Sequence, residues 1–250
     1  MKLVRYGTPR IFVEVPLAAG SLVELQEAQA HHAAHVLRLR EQEPLILFDG
    51  SGGEWHGRVA SIGKRTVGVA VEAHHPIERE PPVAMTLVQA LSSADRMDYT
   101  MQKAVELGAA SIETVVADKS VARLSGERAG SRAEHWRRIA VSACEQCGRN
   151  RVPVIAAPVA FAAWLRAPRP EALKLLASPG ATLSLRDALL GDPRSIVFAV
   201  GPEAGFSERE EASMDAAGFQ RIHLGPRILR TETVAPALLA AVNALAGDWL

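Results

Sequence analysis

The hydrophobic pattern changes its period along this 250-residue chain. Up to about residue 74, short runs alternate apolar and polar positions, as in "TVGVAVE", where Val67, Val69 and Val71 share one face. That period of two belongs to half-buried strands. "PLILFDGSGGEWHGRVASI" sets a turn at Asp49-Gly50 between two further strand-like runs. A short helix is predicted to interrupt them at "EAQAHHAAHVLRL", and so many short strands in so few residues predict a small barrel. Beyond residue 83, the apolar runs "VAMTLVQAL", "IETVVA", "ALKLLAS", "SIVFAV" and "RIHL" are separated by helical segments. This alternation predicts an α/β domain with a mainly parallel sheet covered on both faces. The proline-rich, charged "HHPIEREPP" lies between the two patterns. The predicted organisation is therefore a β-rich domain at 1–74, a linker at 75–82 and an α/β domain at 83–250.

Three helices stand out. In 131–149, Trp136, Ile139, Ala140, Ala143, Cys144 and Cys147 form one apolar face, with Arg132, Glu134, Arg137, Arg138 and Glu145 elsewhere. In 207–218, Ser207 and Glu210 spell a capping box and Gly218 stands where a helix would end. The last helix carries Val234, Ala235, Leu238, Leu239, Val242, Leu245 and Ala246 on one stripe. Pro236 suits only a first turn, which predicts Thr233 as N-cap and leaves Arg230, Thr231 and Glu232 in the preceding loop. Polar groups held there fit a binding site and a plain capping loop equally well.

Composition narrows the field in a few respects. With 28 basic and 28 acidic residues, net charge says nothing about partners. Two cysteines make no disulfide framework, no apolar run reaches the roughly 20 residues of a membrane span, and "MKLVRYGTPR" lacks a signal peptide's apolar stretch. A cytoplasmic protein without metal is expected. Local charge is more informative: between Lys119 and Arg151 there are eight basic residues against three acidic ones. This is the footprint of a polyanion or of a solvated helix face.

The candidate chemistry lies in loops. "VFAVGPEAGFSEREE" places Gly201 to Phe206 after a buried strand, at the edge where open α/β sheets bind ligands. It is neither a dinucleotide fingerprint nor a P-loop. With the similar "HLGPRILRTET", it can enclose a nucleoside-like ligand through backbone groups. Cys144-x-x-Cys147 falls on an apolar helix stripe and reads as core rather than as a redox pair or half a zinc site. The His31 and His35 pair has no third ligand in view and reads as a surface or RNA-facing helix. Asn150, in "CGRNRVP", offers a donor and an acceptor suited to RNA.

"HHAAHVLRLR", "LFDGSGGEW", "QKAVELGA", "EQCGRNRVP", "GPEAGFS" and "LGPRILRTET" occur in this order along nearly the whole chain. In order and spacing they resemble the bacterial 16S rRNA (uracil-N3)-methyltransferases, the RsmE family. One departure is Ala204, where that family usually has a second glycine. The resemblance implies a PUA-like RNA-binding β-barrel followed by a SPOUT-type methyltransferase domain ending in a deep trefoil knot. It also implies a homodimer and methyl transfer from S-adenosylmethionine to uridine N3 of 16S rRNA in the 30S subunit. The cofactor would lie among Leu176, Ala177, Ser178, Gly201, Pro202, Glu203, Ala204, Gly205, Leu224, Gly225, Ile228, Leu229, Arg230 and Thr231. Arg230 and Glu232 are the expected catalytic groups. Arg5, Arg10, Arg38, Arg123, Arg149 and Asn150 are the expected RNA contacts. A non-catalytic ribosome-assembly factor and a ribose 2′-hydroxyl methyltransferase are the rival readings. The relatives that modify ribose tend to carry a G-N-E loop in place of G-P-E.

Overall fold

The structure, a computed structural model, describes residues 7–121, 126–169 and 172–249. The chain divides into two compact units, Met1–Arg79 with Cys144–Val152, and Glu80–Ala143 with Pro153–Leu250.

The first unit contains β1 (Arg10–Phe12), β2 (Leu22–Gln26), α1 (Glu27–His31), β3 (Pro44–Phe48), β4 (Glu54–Ile62) and β5 (Thr66–His75). Its sheet runs in the order β1-β3-β4-β5-β2, antiparallel except for β1 on β3. Val67, Val69 and Val71 point into a core with Ile11, Leu25, Leu45 and Val59, as the alternation requires. The turn at Asp49-Gly50 is present, with Gly50 at φ +84° and Asp49 Oδ1 accepting from the Ser51 N–H at 2.9 Å. The described residues leave β1 and β2 as the edges of the sheet, a half-barrel rather than the closed barrel that the short strands predict. The helix at residue 27 is also shorter than the periodicity suggests, since α1 gives way to a π-helical turn at His32–Val36.

A buried carboxylate ties this unit together. Glu54 is 2% exposed and accepts from Arg10 Nη1 at 2.7 Å and Arg79 Nη1 at 2.9 Å. Arg10 also donates to Asn150 Oδ1, and its guanidinium lies 5.0 Å from the centroid of the Phe48 ring. Asn150 Nδ2 donates to the Ile77 carbonyl at 2.6 Å. These bonds correct two expectations. The predicted linker at 75–82 is partly structure of the first unit, which reaches Arg79 and takes in residues 144–152. Arg10, Arg149 and Asn150, expected to meet RNA, are turned inward, with Arg149 3% and Asn150 0% exposed. A loop donor looks the same in sequence whether it faces a nucleic acid or a buried carboxylate.

The second unit contains β6 (Ala84–Ala90), α2 (Ala94–Glu106), β7 (Ala109–Val116), α3 (Glu127–Cys147) up to Ala143, β8 (Val154–Ile155) and β9 (Val159–Ala160). After these come α4 (Phe161–Leu165), β10 (Leu173–Ala177), β11 (Leu183–Ser184), α5 (Leu185–Ala188) and β12 (Ser195–Val200), then α6 (Glu208–Ala216), β13 (Gln220–His223) and α7 (Thr231–Ala246). Its sheet is parallel throughout, in the order β11-β13-β10-β12-β6-β7-β8, with β9 also on β7. The five apolar runs read from the sequence are β6, β7, β10, β12 and β13. Cys144 is buried and Cys147 half-buried, in keeping with the apolar stripe of α3.

The capping box of α6 is complete, with the Glu210 N–H on Ser207 Oγ at 3.2 Å and the Ser207 N–H on Glu210 Oε2 at 2.9 Å. Gly218, at φ +85°, follows the C-cap. Ser207 Oγ also donates to Asp118 Oδ2 at 2.7 Å. Ser207→Ala is expected to cost about 1 kcal/mol, read as a lower urea midpoint; an unchanged midpoint refutes that role for the cap.

The start of α7 departs from the sequence reading. Its N-cap is Arg230, not Thr233, so Thr231 and Glu232 lie in the first turn and Pro236 lies inside the helix. Proline there removes the hydrogen bond to the Glu232 carbonyl. The hydrogen bonds that the Thr231 hydroxyl makes with Gly201 and Gln89, described below, hold the earlier start. Leu238, Leu239 and Val242 are fully buried, whereas Leu245 is 46% exposed, so the buried stripe ends before the helix does.

Candidate functional site

In the second unit β13, β10 and β12 are neighbours, and parallel pairing brings the loops that follow them to one edge of the sheet. They enclose a cleft of about 350 Å³ whose wall includes Ala177, Pro179, Gly201, Phe206, Leu229 and Thr231. The backbone of the loop after β12 forms much of that wall. A Cβ on Gly201 would stand 3.1 Å from Gly205 Cα and from the Phe206 nitrogen, because the loop folds back on itself there. Gly205 has φ +70°, which disfavours a side chain. Ala204 is exposed and is not among the positive-φ residues, so its methyl group is accommodated without strain. Lys119 Nζ braces the loop through the Phe206 carbonyl at 3.1 Å.

A buried polar junction fixes the floor. Gln89, at the end of β6 and 0% exposed, donates through Nε2 to Thr231 Oγ1 at 3.0 Å. The Thr231 hydroxyl in turn donates to the Gly201 carbonyl at 2.7 Å. Three segments distant in sequence thereby share one hydroxyl, and this sets where α7 begins relative to the glycine loop.

The charged rim is built around Arg96 of α2. Its Nη1 donates to Glu203 Oε1 at 2.6 Å, and its Nε lies 3.5 Å from Glu232 Oε2. Partial burial pushes the Glu203 carboxyl up, but its own N–H, the Ser93 N–H and the Arg96 guanidinium hold it below the usual carboxylate range. Glu203 is therefore an anion at neutral pH. Arg230 is exposed at the N-cap of α7, and Arg230 and Glu232 both line the cleft.

Of the residues expected to hold a cofactor, Ala177, Gly201, Pro202, Glu203, Gly205, Ile228, Leu229, Arg230 and Thr231 line the cleft. The others do not. Leu176 is fully buried in β10, the Ser178 N–H is spent on the Ile222 carbonyl at 2.9 Å, Ala204 and Gly225 face solvent, and Leu224 is half-buried. Among the expected RNA contacts, Arg38 is exposed, and Arg5 and Arg123 lie outside the described residues. The sequence reading missed Arg96, Gln89 and Glu211. Glu211 closes the quoted glycine-loop stretch without having been singled out, and it lines the cleft with Arg96. Arg96 and Gln89 lie in regular elements with no local motif around them, and only tertiary pairing sets them beside the glycine loop.

The RNA methyltransferase domain family matches residues 79–243, and the RNA methyltransferase PUA domain family matches residues 25–72. The ribosomal RNA small subunit methyltransferase E of Synechocystis is 32% identical over 229 residues, covering 89% of this chain and 73% of that protein. Its counterpart in Mycobacterium tuberculosis is 30% identical over 244 residues, covering 95% and 92%. Among solved structures, a ribosomal RNA small subunit methyltransferase E from Neisseria gonorrhoeae bound to S-adenosylmethionine aligns with a TM-score of 0.91 and 38% identity, over 98% of this chain and 100% of that one. A protein from Legionella pneumophila in complex with S-adenosylmethionine aligns with a TM-score of 0.92 and 34% identity, over 97% and 100%.

Proposed function

Because this chain belongs to the ribosomal RNA small subunit methyltransferase E family, we propose that it methylates uridine N3 in 16S rRNA, with S-adenosylmethionine as donor and 3-methyluridine as product. The observation that carries this reading is the convergence of three loops on one cleft, with Arg230 and Glu232 at its lip. The cleft suits the cofactor. Glycine backbone permits close approach, Leu229 and Phe206 give an apolar wall, and Glu203 and Glu232 offer carboxylates to a cationic ligand. The bound cofactor supplies an electrophilic methyl group.

This chain's residues then have two tasks. Neutral uridine holds a proton on N3, so the N3 lone pair attacks well only as that proton leaves. Glu232 accepts the proton, and Arg230 stabilises the negative charge that develops on the uracil oxygens. The cleft holds N3 in line with the methyl group, which contributes through orientation. In the product N3 carries the methyl group, and the cofactor leaves as S-adenosylhomocysteine.

The family resemblance supports further parts of the same reading. The segment 224–233 is threaded as the knot of a SPOUT domain, the half-barrel of the first unit is a PUA-like RNA-binding domain, and the protein acts in the cytoplasm as a homodimer. Exposed Leu245 and Trp249 provide apolar surface that a second copy would cover. Among the described residues no helix is long and apolar enough to cross a membrane.

The decisive experiment incubates the protein with isotopically labelled S-adenosylmethionine and unmodified 30S subunits, then identifies labelled nucleosides by mass spectrometry. Labelled 3-methyluridine is expected. Label on a ribose refutes the target atom, and absence of label refutes the enzyme. Glu232→Gln is expected to lower the single-turnover rate by about 100-fold or more and to flatten its dependence on pH. An unchanged rate across pH removes Glu232 as the base.

A further inference from the structure

The first unit carries a second cleft, of about 340 Å³, between α1 with its π-helical turn and the β4–β5 hairpin. The hairpin closes with the Gly63 N–H on the Thr66 carbonyl at 2.9 Å. Lys64 and Arg65 therefore occupy its tip, exposed, and neither has an ion-pair partner among the described residues. Across the cleft, His31 and His35 are exposed, with ring centroids 4.9 Å apart and planes at 43°. They give the cleft an aromatic wall. The π-helical turn His32–Val36 starts just after His31 and contains His35, and such turns are frequent at functional sites. Glu27, which opens α1, sits at φ +40°, a conformation that costs a non-glycine residue free energy. It is the one carboxylate among the residues lining this cleft.

We propose that this cleft binds one nucleotide of a single-stranded RNA segment, its phosphate between Lys64 and Arg65 and its base against His31 and His35. Two exposed cations without partners suit a phosphate, and imidazole faces suit an unstacked base. The inference rests on RNA being the substrate. It replaces inward-facing Arg10, Arg149 and Asn150 with a different set of RNA contacts.

The test measures binding of a fluorescein-labelled oligouridylate of about ten nucleotides to the full-length protein by anisotropy, over a range of salt. Lys64→Ala with Arg65→Ala is expected to weaken binding and to reduce the slope of log Kd against log salt by about 0.7, the value for the one phosphate that the pair neutralises on a single strand. His31→Ala with His35→Ala is expected to weaken it about tenfold and leave the slope unchanged. The charge-conserving pair Lys64→Arg with Arg65→Lys is expected to keep the wild-type slope. If both alanine variants match wild type in affinity and slope while wild type methylates 30S subunits, the cleft proposal alone is overturned. If the variants lose binding as expected while wild type transfers no methyl group, the proposed function fails and the cleft stands. Competition by inorganic phosphate as strong as by unlabelled oligouridylate shows a simple anion site and overturns the proposal.

Discussion

Glu54→Gln is expected to destabilise the folded chain by about 3 kcal/mol at neutral pH, the largest stability effect of any single exchange considered. Burial pushes the Glu54 carboxyl up, but the hydrogen bonds from Arg79, Arg10 and His56 outweigh it and hold its pKa at about 2, against an ordinary 4.5. The folded state thus favours the carboxylate more than the unfolded chain does. The stabilisation is complete above pH 4.5 and is lost as the pH falls towards 2. Glutamine keeps the shape but leaves the Arg10 and Arg79 guanidiniums facing a neutral amide. Urea midpoints of wild type and variant should differ most near pH 7 and converge as the pH approaches 2. A gap that stays constant with pH shows that ionisation of Glu54 is not what holds the unit.

Arg96→Met is expected to lower the single-turnover methylation rate about 100-fold. The guanidinium lies between Glu203 and Glu232, and without it two carboxylates face each other across the rim of the cleft. Glu203 loses one of three donors, and Glu232 loses the cation that fixes its side chain. Arg96→Lys retains the charge but not the fork that reaches both partners, so an intermediate rate is expected. Arg96 positions the proposed base and does not itself touch N3. Its loss should therefore reduce the rate more than the affinity for S-adenosylmethionine, with little change in the urea midpoint. A rate within threefold of wild type would show that Glu232 keeps its place unaided.

How far the sequence reveals this molecule depends on how local each determinant is. The parallel sheet was legible because five of its strands coincide with short, mainly apolar runs, and α6 because Ser207, Glu210 and Gly218 mark its own ends. The glycine loop after β12 was legible for the same reason, as a strand, a turn and a cap in succession. Non-local determinants were hidden. Pro236 alone places the start of α7 too late, because the Thr231 hydroxyl that moves it forward bonds to Gln89 and Gly201. Arg96 gives no sign of its role until α2 is set beside the loop that carries Glu203. Asn150 and Arg149 form part of an arginine-rich stretch and look like nucleic-acid contacts, yet the packing of residues 144–152 into the first unit buries them.

That discontinuous first unit has a consequence for the order of events during synthesis. Translation delivers residues 1–79 first, but Asn150, which bonds Arg10 and the Ile77 carbonyl, emerges only after the 80–143 stretch has been made. At roughly 5 to 20 residues per second, the nascent N-terminal sheet waits about 4 to 15 seconds for its last segment. During that interval the Glu54 carboxylate and the edge strand β1 lack part of their native surroundings, so the N-terminal half cannot finish folding first. A ribosome pause between codons 80 and 152 would lengthen the exposure.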